Sequence, residues 1–306
     1  MFEPGPGEMN MLWMLVAVRV LVNPLSNVVQ KLLARRSVSA IEIIGYTHGL
    51  LTLVCLPALL FDPPPTTRLF WSSMTACAVL GVAGNVLIVK ALEVGDLSIV
   101  GPINSFKPVV GMIPGLLLLR EIPTAVQLAG VGLVFAGSCI IAGDTTGLVA
   151  RSSLWRLFSD RGVQYRLAAL TLSATEAVFI KQALLASSPV PTFAVWSVMG
   201  FVMLLPWLAR YAPNWRDPTA ISREKTPARS ILSNFLLLAL TTGLMQLCTI
   251  AILCDFQVAA ALALFQTSTL VSVLLGWLVF HEPNVHGRLL GAVVMAAGAV
   301  LIITNR

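Results

Sequence analysis

The chain has 306 residues, with 20 Lys+Arg against 14 Asp+Glu and a formal net charge of +6. Only 11% of its residues are charged and 57% are apolar. Soluble proteins carry roughly 25% charged residues, so this composition excludes a water-soluble globular domain, which would lack the polar surface to cover itself. The charges gather between long apolar runs, which points to the bilayer as the main solvent.

A spanning helix needs about 20 mostly apolar residues. Ten segments meet that length within a few residues: 11–33, 38–61, 70–92, 97–119, 124–143, 165–187, 190–211, 230–253, 258–280 and 285–303. They are too long and unbroken for barrel strands, which run about ten residues with strict alternation. The first segment reads as a retained helix rather than a cleaved leader. Residues 1–10 carry Glu3 and Glu8 and no basic residue, and the stretch itself holds Arg19, Asn23, Pro24 and Asn27. The second holds Glu42 near its end and His48 at mid-depth, and the third holds Asn85.

The fourth segment has Pro102, Pro108 and Pro114 at intervals of six, with Asn104, Ser105 and Lys107 among them. Each proline removes a backbone donor and crowds the carbonyl four residues back. The carbonyls near Ser98, Asn104 and Val110 must then find other donors or water, so a bent helix suited to a binding site is expected. The fifth segment places Gly130 and Gly137 on one helix face, where missing side chains let helices approach closely. A basic connector follows at 144–164. The sixth segment has Glu176 near its middle and the eighth has Gln246. The ninth has no proline and offers Gln266, Thr267, Ser268 and Thr269 at the depth where the fourth has Lys107.

Residues 110–141 return at 271–302. An offset of 161 aligns Gly115 with Gly276, Glu121 with Glu282, Gly130 with Gly291, Gly137 with Gly298, and Asn85 with Gln246. The reading is therefore an all-α polytopic membrane protein with ten transmembrane helices. It divides into two five-helix repeats, 11–143 and 165–303, joined by the connector 144–164. An odd number of spans per repeat turns the second copy upside down relative to the first.

Basic residues collect in the loops after the first, third, fifth, seventh and ninth segments, among them Lys31, Arg35, Arg36, Arg151, Arg156 and Arg216. The positive-inside rule makes those loops cytoplasmic and both termini external.

The string Gly95-Asp96-Leu97-Ser98 to Pro102, the apolar run to Leu118-Leu119-Arg120-Glu121, then Gly130 and Gly137 resembles the EamA repeat of the drug/metabolite transporter superfamily. The second copy, Val279-Phe280-His281-Glu282, then Gly291 and Gly298, resembles the same repeat. The resemblance covers nearly the whole chain. It implies a ten-helix carrier in a bacterial inner membrane, with a central cavity, moving metabolites, amino acids or drugs by alternating access. It favours export, and it implies cytoplasmic termini, opposite to the charge count.

A charged side chain near the bilayer centre costs about 2.5–3.5 kcal/mol on insertion scales, so Lys107, Arg19 and Glu176 each need a partner or water. In a cavity, Lys107 and Arg19 would receive an anionic group. Glu176 would hold an ammonium group or carry a proton. The alternative is an internal ion pair, Glu176 with Lys107 or Arg19, that only pins helices. Asn104, Ser105, Asn85, Gln246 and Gln266 complete the expected substrate-binding set. His48 reads more readily as a hydrogen-bonded interhelical residue, and Glu42 as interfacial. Glu121 and Glu282 read as structural turn residues, capping or pairing with Arg120 or Arg288.

Other motifs fail. His281-Glu282-Pro283-Asn284-Val285-His286 has its histidines five apart with a proline between, so one helix face cannot present both to zinc. No GxxxxGK[ST] is present, and the five cysteines lack metal spacing. No metal, cofactor or nucleic-acid partner is expected. The expected partners are the lipid bilayer, a small-molecule substrate and protons as candidate coupling ion, and a homo-oligomer is compatible with the sequence. The sequence reads best as a secondary transporter of a small polar, anionic or zwitterionic metabolite. A non-transporting scaffold and an intramembrane enzyme acting on a lipid phosphate stay open.

Overall fold

The computed structural model describes residues 6–36, 38–94, 106–145, 161–210, 228–268, 271 and 285–304. These residues are helical, joined by turns and short extended links. In chain order the helices are α1 (Pro6–Arg35), α2 (Ala40–Cys55), α3 (Ala58–Phe61), α4 (Arg68–Val94), α5 (Lys107–Pro114), α6 (Ala125–Thr145), α7 (Arg161–Leu184), α8 (Pro189–Arg210), α9 (Ala228–Asp255), α10 (Val258–Gln266) and α11 (Val285–Thr304). Five are long and apolar enough to cross a membrane, within α1, α4, α7, α8 and α9. The other main helices include shorter apolar stretches at Ala40–Cys55, Lys107–Leu119, Ala125–Gly137 and Val293–Thr304.

Local chemistry sets the boundaries. Ser39 and Glu42 form a reciprocal capping box at the start of α2: Ser39 Oγ accepts from Glu42 N, and Glu42 Oε2 accepts from Ser39 N at 2.9 Å. Glu42, expected to be merely interfacial, therefore has a defined structural task. The expected single segment 38–61 is interrupted, because Pro57 has no N–H to continue α2 and a separate turn, α3, follows.

The fourth segment departs further. Pro108 sits in the first turn of α5, where its missing donor costs nothing. After Pro114 the chain widens into a π turn, Gly115–Leu119. Arg120 closes it in the left-handed conformation, φ 55°, the shape usually given to glycine at a helix end. The proline defect is absorbed by a change of helical register. The carbonyls near Ser98 and Asn104 lie outside the described residues.

Polarity is arranged for lipid. Leu53 (73% exposed), Leu117 (73%) and Val293 (67%) face outward, whereas Arg19, Gln30, His48, Glu176 and Gln246 are buried. In water this outer surface would be an extended apolar patch; in a bilayer it is the expected covering.

The main contacts join the two halves of the chain. α4 packs on α7, α1 on α9, α2 on α8, α5 on α10 and α6 on α11. Two of these contacting pairs, α6 with α11 and α2 with α8, run antiparallel. A Cβ built on Gly130 would lie 2.9 Å from Gly298 O, and one on Gly137 would lie 2.6 Å from Gly291 O. Gly45 lies against Leu208 and Gly49 against Phe201 in the same opposed sense.

Candidate functional site

A cavity of about 120 Å³ lies between the halves. That is room for several waters, since one needs roughly 10–15 Å³ measured this way. α1 supplies Arg19, Asn23, Ser26, Asn27 and Gln30, which helical periodicity places on one face. α9 answers with Thr242, Gln246 and Thr249 on one face. The remaining polar wall comes from Thr47 and His48 on α2, Asn85 on α4, Lys107 on α5, and Ser173 and Glu176 on α7.

The structure brings together Arg19, Lys107, Glu176, Asn85 and Gln246 around one space. Gln266 is buried at the end of α10 but does not border the cavity, because its neighbour Phe265 turns that face inward. Asn104 and Ser105 lie outside the described residues. Sequence reasoning passed over Trp196 and the hydroxyls of Ser26, Thr242 and Thr249. For Ser26 a signal was present, because positions 19, 23, 26, 27 and 30 form a polar stripe of helical period.

Lys107 and Glu176 act on each other electrostatically, but among the described residues these charged groups close no ion pair within 4.0 Å. Arg19 Nε donates to Thr249 Oγ1 at 2.8 Å, and its guanidinium lies over the Phe265 ring, 4.4 Å from the centroid. Its Nη1 is buried without a hydrogen-bond partner among the described residues. Glu176 Oε1 accepts from Trp196 Nε1 at 3.0 Å and lies 3.8 Å from Cys77 Sγ. Neither Arg19 nor Lys107 forms an ion pair with Glu176 among the described residues. Gly81 makes room for this carboxylate, since a Cβ there would collide with Glu176 Oε1. His48 stacks on Trp196, ring centroids 4.4 Å apart, and its Nδ1 has no partner among the described residues. That nitrogen packs against Gly200 of α8, and a hydrogen bond to the Ser197 backbone, also on α8, gives His48 the interhelical contact expected of it. Cross-half bonds tie the rim: Asn23 Nδ2 donates to Ser268 Oγ at 3.0 Å, and Ser26 and Thr242 hydroxyls lie 3.0 Å apart.

Beyond the cavity, α5, α7 and α10 close together. Glu121 Oε1 pairs with Lys181 Nζ at 2.9 Å, and Glu121 Oε2 accepts from Val258 N, at the start of α10, at 2.7 Å. Lys181 also donates to Phe256 O. The expected partner of Glu121 next to it in sequence, Arg120, gives way to Lys181. The carboxylate is drawn to the uncapped amide of α10, where a lysine of the other half meets it. The side chain of Arg288, and Glu282 altogether, lie outside the described residues.

A model of the EamA-like transporter family matches residues 11–143 and 160–304. The chain belongs to the EamA-like transporter family. It is thus an integral membrane protein of the drug/metabolite transporter superfamily. A solved structure titled only "Crystal structure of protein" superposes with a TM-score of 0.63 at 12% identity, covering 93% of this chain and 96% of that chain. At that identity the likeness shows the fold alone. No curated protein matches the sequence. The two matched stretches are separated by residues 144–159.

Proposed function

We propose that this EamA-like protein is a secondary transporter that moves a small polar, anionic or zwitterionic metabolite outward across a bacterial inner membrane. One observation carries the reading. Arg19, Lys107 and Glu176 border one hydrated-size cavity between the halves, with Glu176 bound to Trp196 and Cys77 rather than spent on either cation. Charges kept apart around a space are available to a solute; charges closed on each other only fasten helices.

The transport cycle follows from the pairing of helices. Ten spans in two inverted halves would account for contacts that join the two halves and for the pairs that run antiparallel. The cavity lining reaches Gln30 near the end of α1, whereas the far end is fastened by Glu121 and Lys181. Rocking of the halves would exchange the open and fastened ends, and the loops rich in basic residues would lie in the cytoplasm. Glu176 is the candidate proton carrier.

The test is counterflow in proteoliposomes, screening small carboxylates, amino acids and sugar phosphates as internal solute. Accumulation that depends on Lys107 and Arg19 is expected. A protein that passes no solute of these classes, in either direction, contradicts the reading. If Glu176 carries the coupling proton, Glu176→Gln keeps counterflow but loses accumulation driven by a proton gradient. Gradient-driven accumulation that survives Glu176→Gln would remove that role.

A further inference from the structure

Around the cavity, three buried side-chain nitrogens lack partners among the described residues: Arg19 Nη1, Gln246 Nε2 and His48 Nδ1. The first two carry N–H groups in every protonation state. They belong together. Gln246 and Thr249 lie three positions apart on one face of α9, and Thr249 Oγ1 receives Arg19 Nε at 2.8 Å. Phe265 backs the guanidinium from another side, 4.4 Å from its ring centroid. The arginine is therefore fixed before any ligand arrives, with a buried N–H left unused at the edge of the cavity. A buried donor left without an acceptor is destabilising, and an arginine fork suits a planar two-oxygen acceptor better than a point charge does.

The geometry points to a subsite at Arg19 and Gln246 that binds the carboxylate of an anionic solute. The proposal deepens the transporter reading and uses the same cavity, but it concerns binding and does not require translocation. The charge around the site favours an anion. The lining holds two basic side chains, Arg19 and Lys107, against one carboxylate, Glu176, and a third buried cation, Arg166, acts on Lys107. A carboxylate group offsets this excess. Glu176, Trp196 and His48 form a separate pole of the cavity, left for the remainder of the solute. Thr249 fixes the arginine and is a positioning residue.

The experiment uses the full chain purified in detergent, with thermal unfolding and calorimetric titration against propionate, propionamide and inorganic phosphate. Propionate is expected to raise Tm and bind, while propionamide, of nearly the same shape without the charge, is not. Arg19→Lys keeps the charge and loses the fork, and should weaken propionate binding by about tenfold or more. Gln246→Glu places a carboxylate of the protein itself in the cavity wall, three positions from Thr249, the partner of Arg19. It should raise Tm without ligand and abolish the propionate response, and it decides the matter if Arg19→Lys fails to fold. Equal binding of propionamide, preference for phosphate, or a wild-type propionate response in Gln246→Glu overturns the subsite. Propionate binding in a protein that fails every counterflow assay would remove the transport reading and keep the subsite. Carboxylate counterflow untouched by Arg19→Lys would do the reverse.

Discussion

At the scale of single residues, Glu176 is only 8% exposed and relies on Trp196 and on the space over Gly81. A hydrogen bond to a charged group is worth about 1.5–3 kcal/mol. Trp196→Phe, which keeps the ring and removes the donor, should cost about that much in thermal or denaturant unfolding in detergent. A stability equal to wild type would mean the indole bond does not hold the carboxylate. Gly81→Ala drives a methyl group into the carboxylate; it should displace Glu176 and reduce counterflow by about tenfold or more, as misplaced charge does in preorganised sites. Of these residues only Glu176 was legible in the sequence, because a carboxylate inside an apolar run is conspicuous. Trp196 reads as one more apolar residue of its segment, and Gly81 as one more glycine. Their roles exist only once α4, α7 and α8 meet, and sequence periodicity does not say which helices will meet.

At the scale of elements, α6 and α11 touch backbone to backbone. A Cβ on Gly137 would sit 2.6 Å from Gly291 O, and one on Gly298 would sit 2.6 Å from Gly130 O. Carbonyls of a rigid helix cannot swing aside, so Gly137→Ala should destabilise by about 1–3 kcal/mol. Gly132 supplies the control, because nothing lies within 4 Å of its Cβ position. Gly132→Ala should be neutral, or stabilising by up to about 1 kcal/mol from helix propensity. The same loss for both substitutions in thermal unfolding would mean that helix contact is not what Gly137 serves. The seven-residue glycine spacing announced a face, and the repeat suggested what the face was for.

The Glu121–Lys181 fastening was less legible. Glu121 stood out by recurring as Glu282, but sequence nearness suggested Arg120 as a partner, whereas the fold supplies Lys181 from the other half. Lys181→Met leaves Glu121 with the α10 amide but without its cation, and should lower Tm more than the double change Lys181→Met with Glu121→Gln, which removes both charges. A double variant less stable than the sum of the two single ones would contradict a coupled pair. The π turn after Pro114 was visible only as a trio of prolines; which of them would bend the chain depended on where α5 begins.

At the scale of the whole molecule, the low charge content and the repeat made the membrane class and the family readable from the chain. Counting spans was harder, because Pro57 parts α2 from the separate turn α3 and a π turn follows Pro114 at the end of α5. Orientation is a separate expectation. An alkaline phosphatase fused after Arg306 should be active if the loops rich in basic residues are cytoplasmic, and inactive if the termini lie inside.

The central claim is that Arg19, Lys107 and Glu176 border water reached in turn from each face of the membrane. The most direct measurement places a cysteine at Asn85, in the cavity wall, in a protein otherwise freed of its five cysteines. A membrane-impermeant thiol reagent is then applied to right-side-out and to inverted vesicles. The account predicts that Asn85→Cys reacts in both, while a cysteine at lipid-facing Leu53 reacts in neither. Reaction of Asn85→Cys from one face only, or from none, would contradict it.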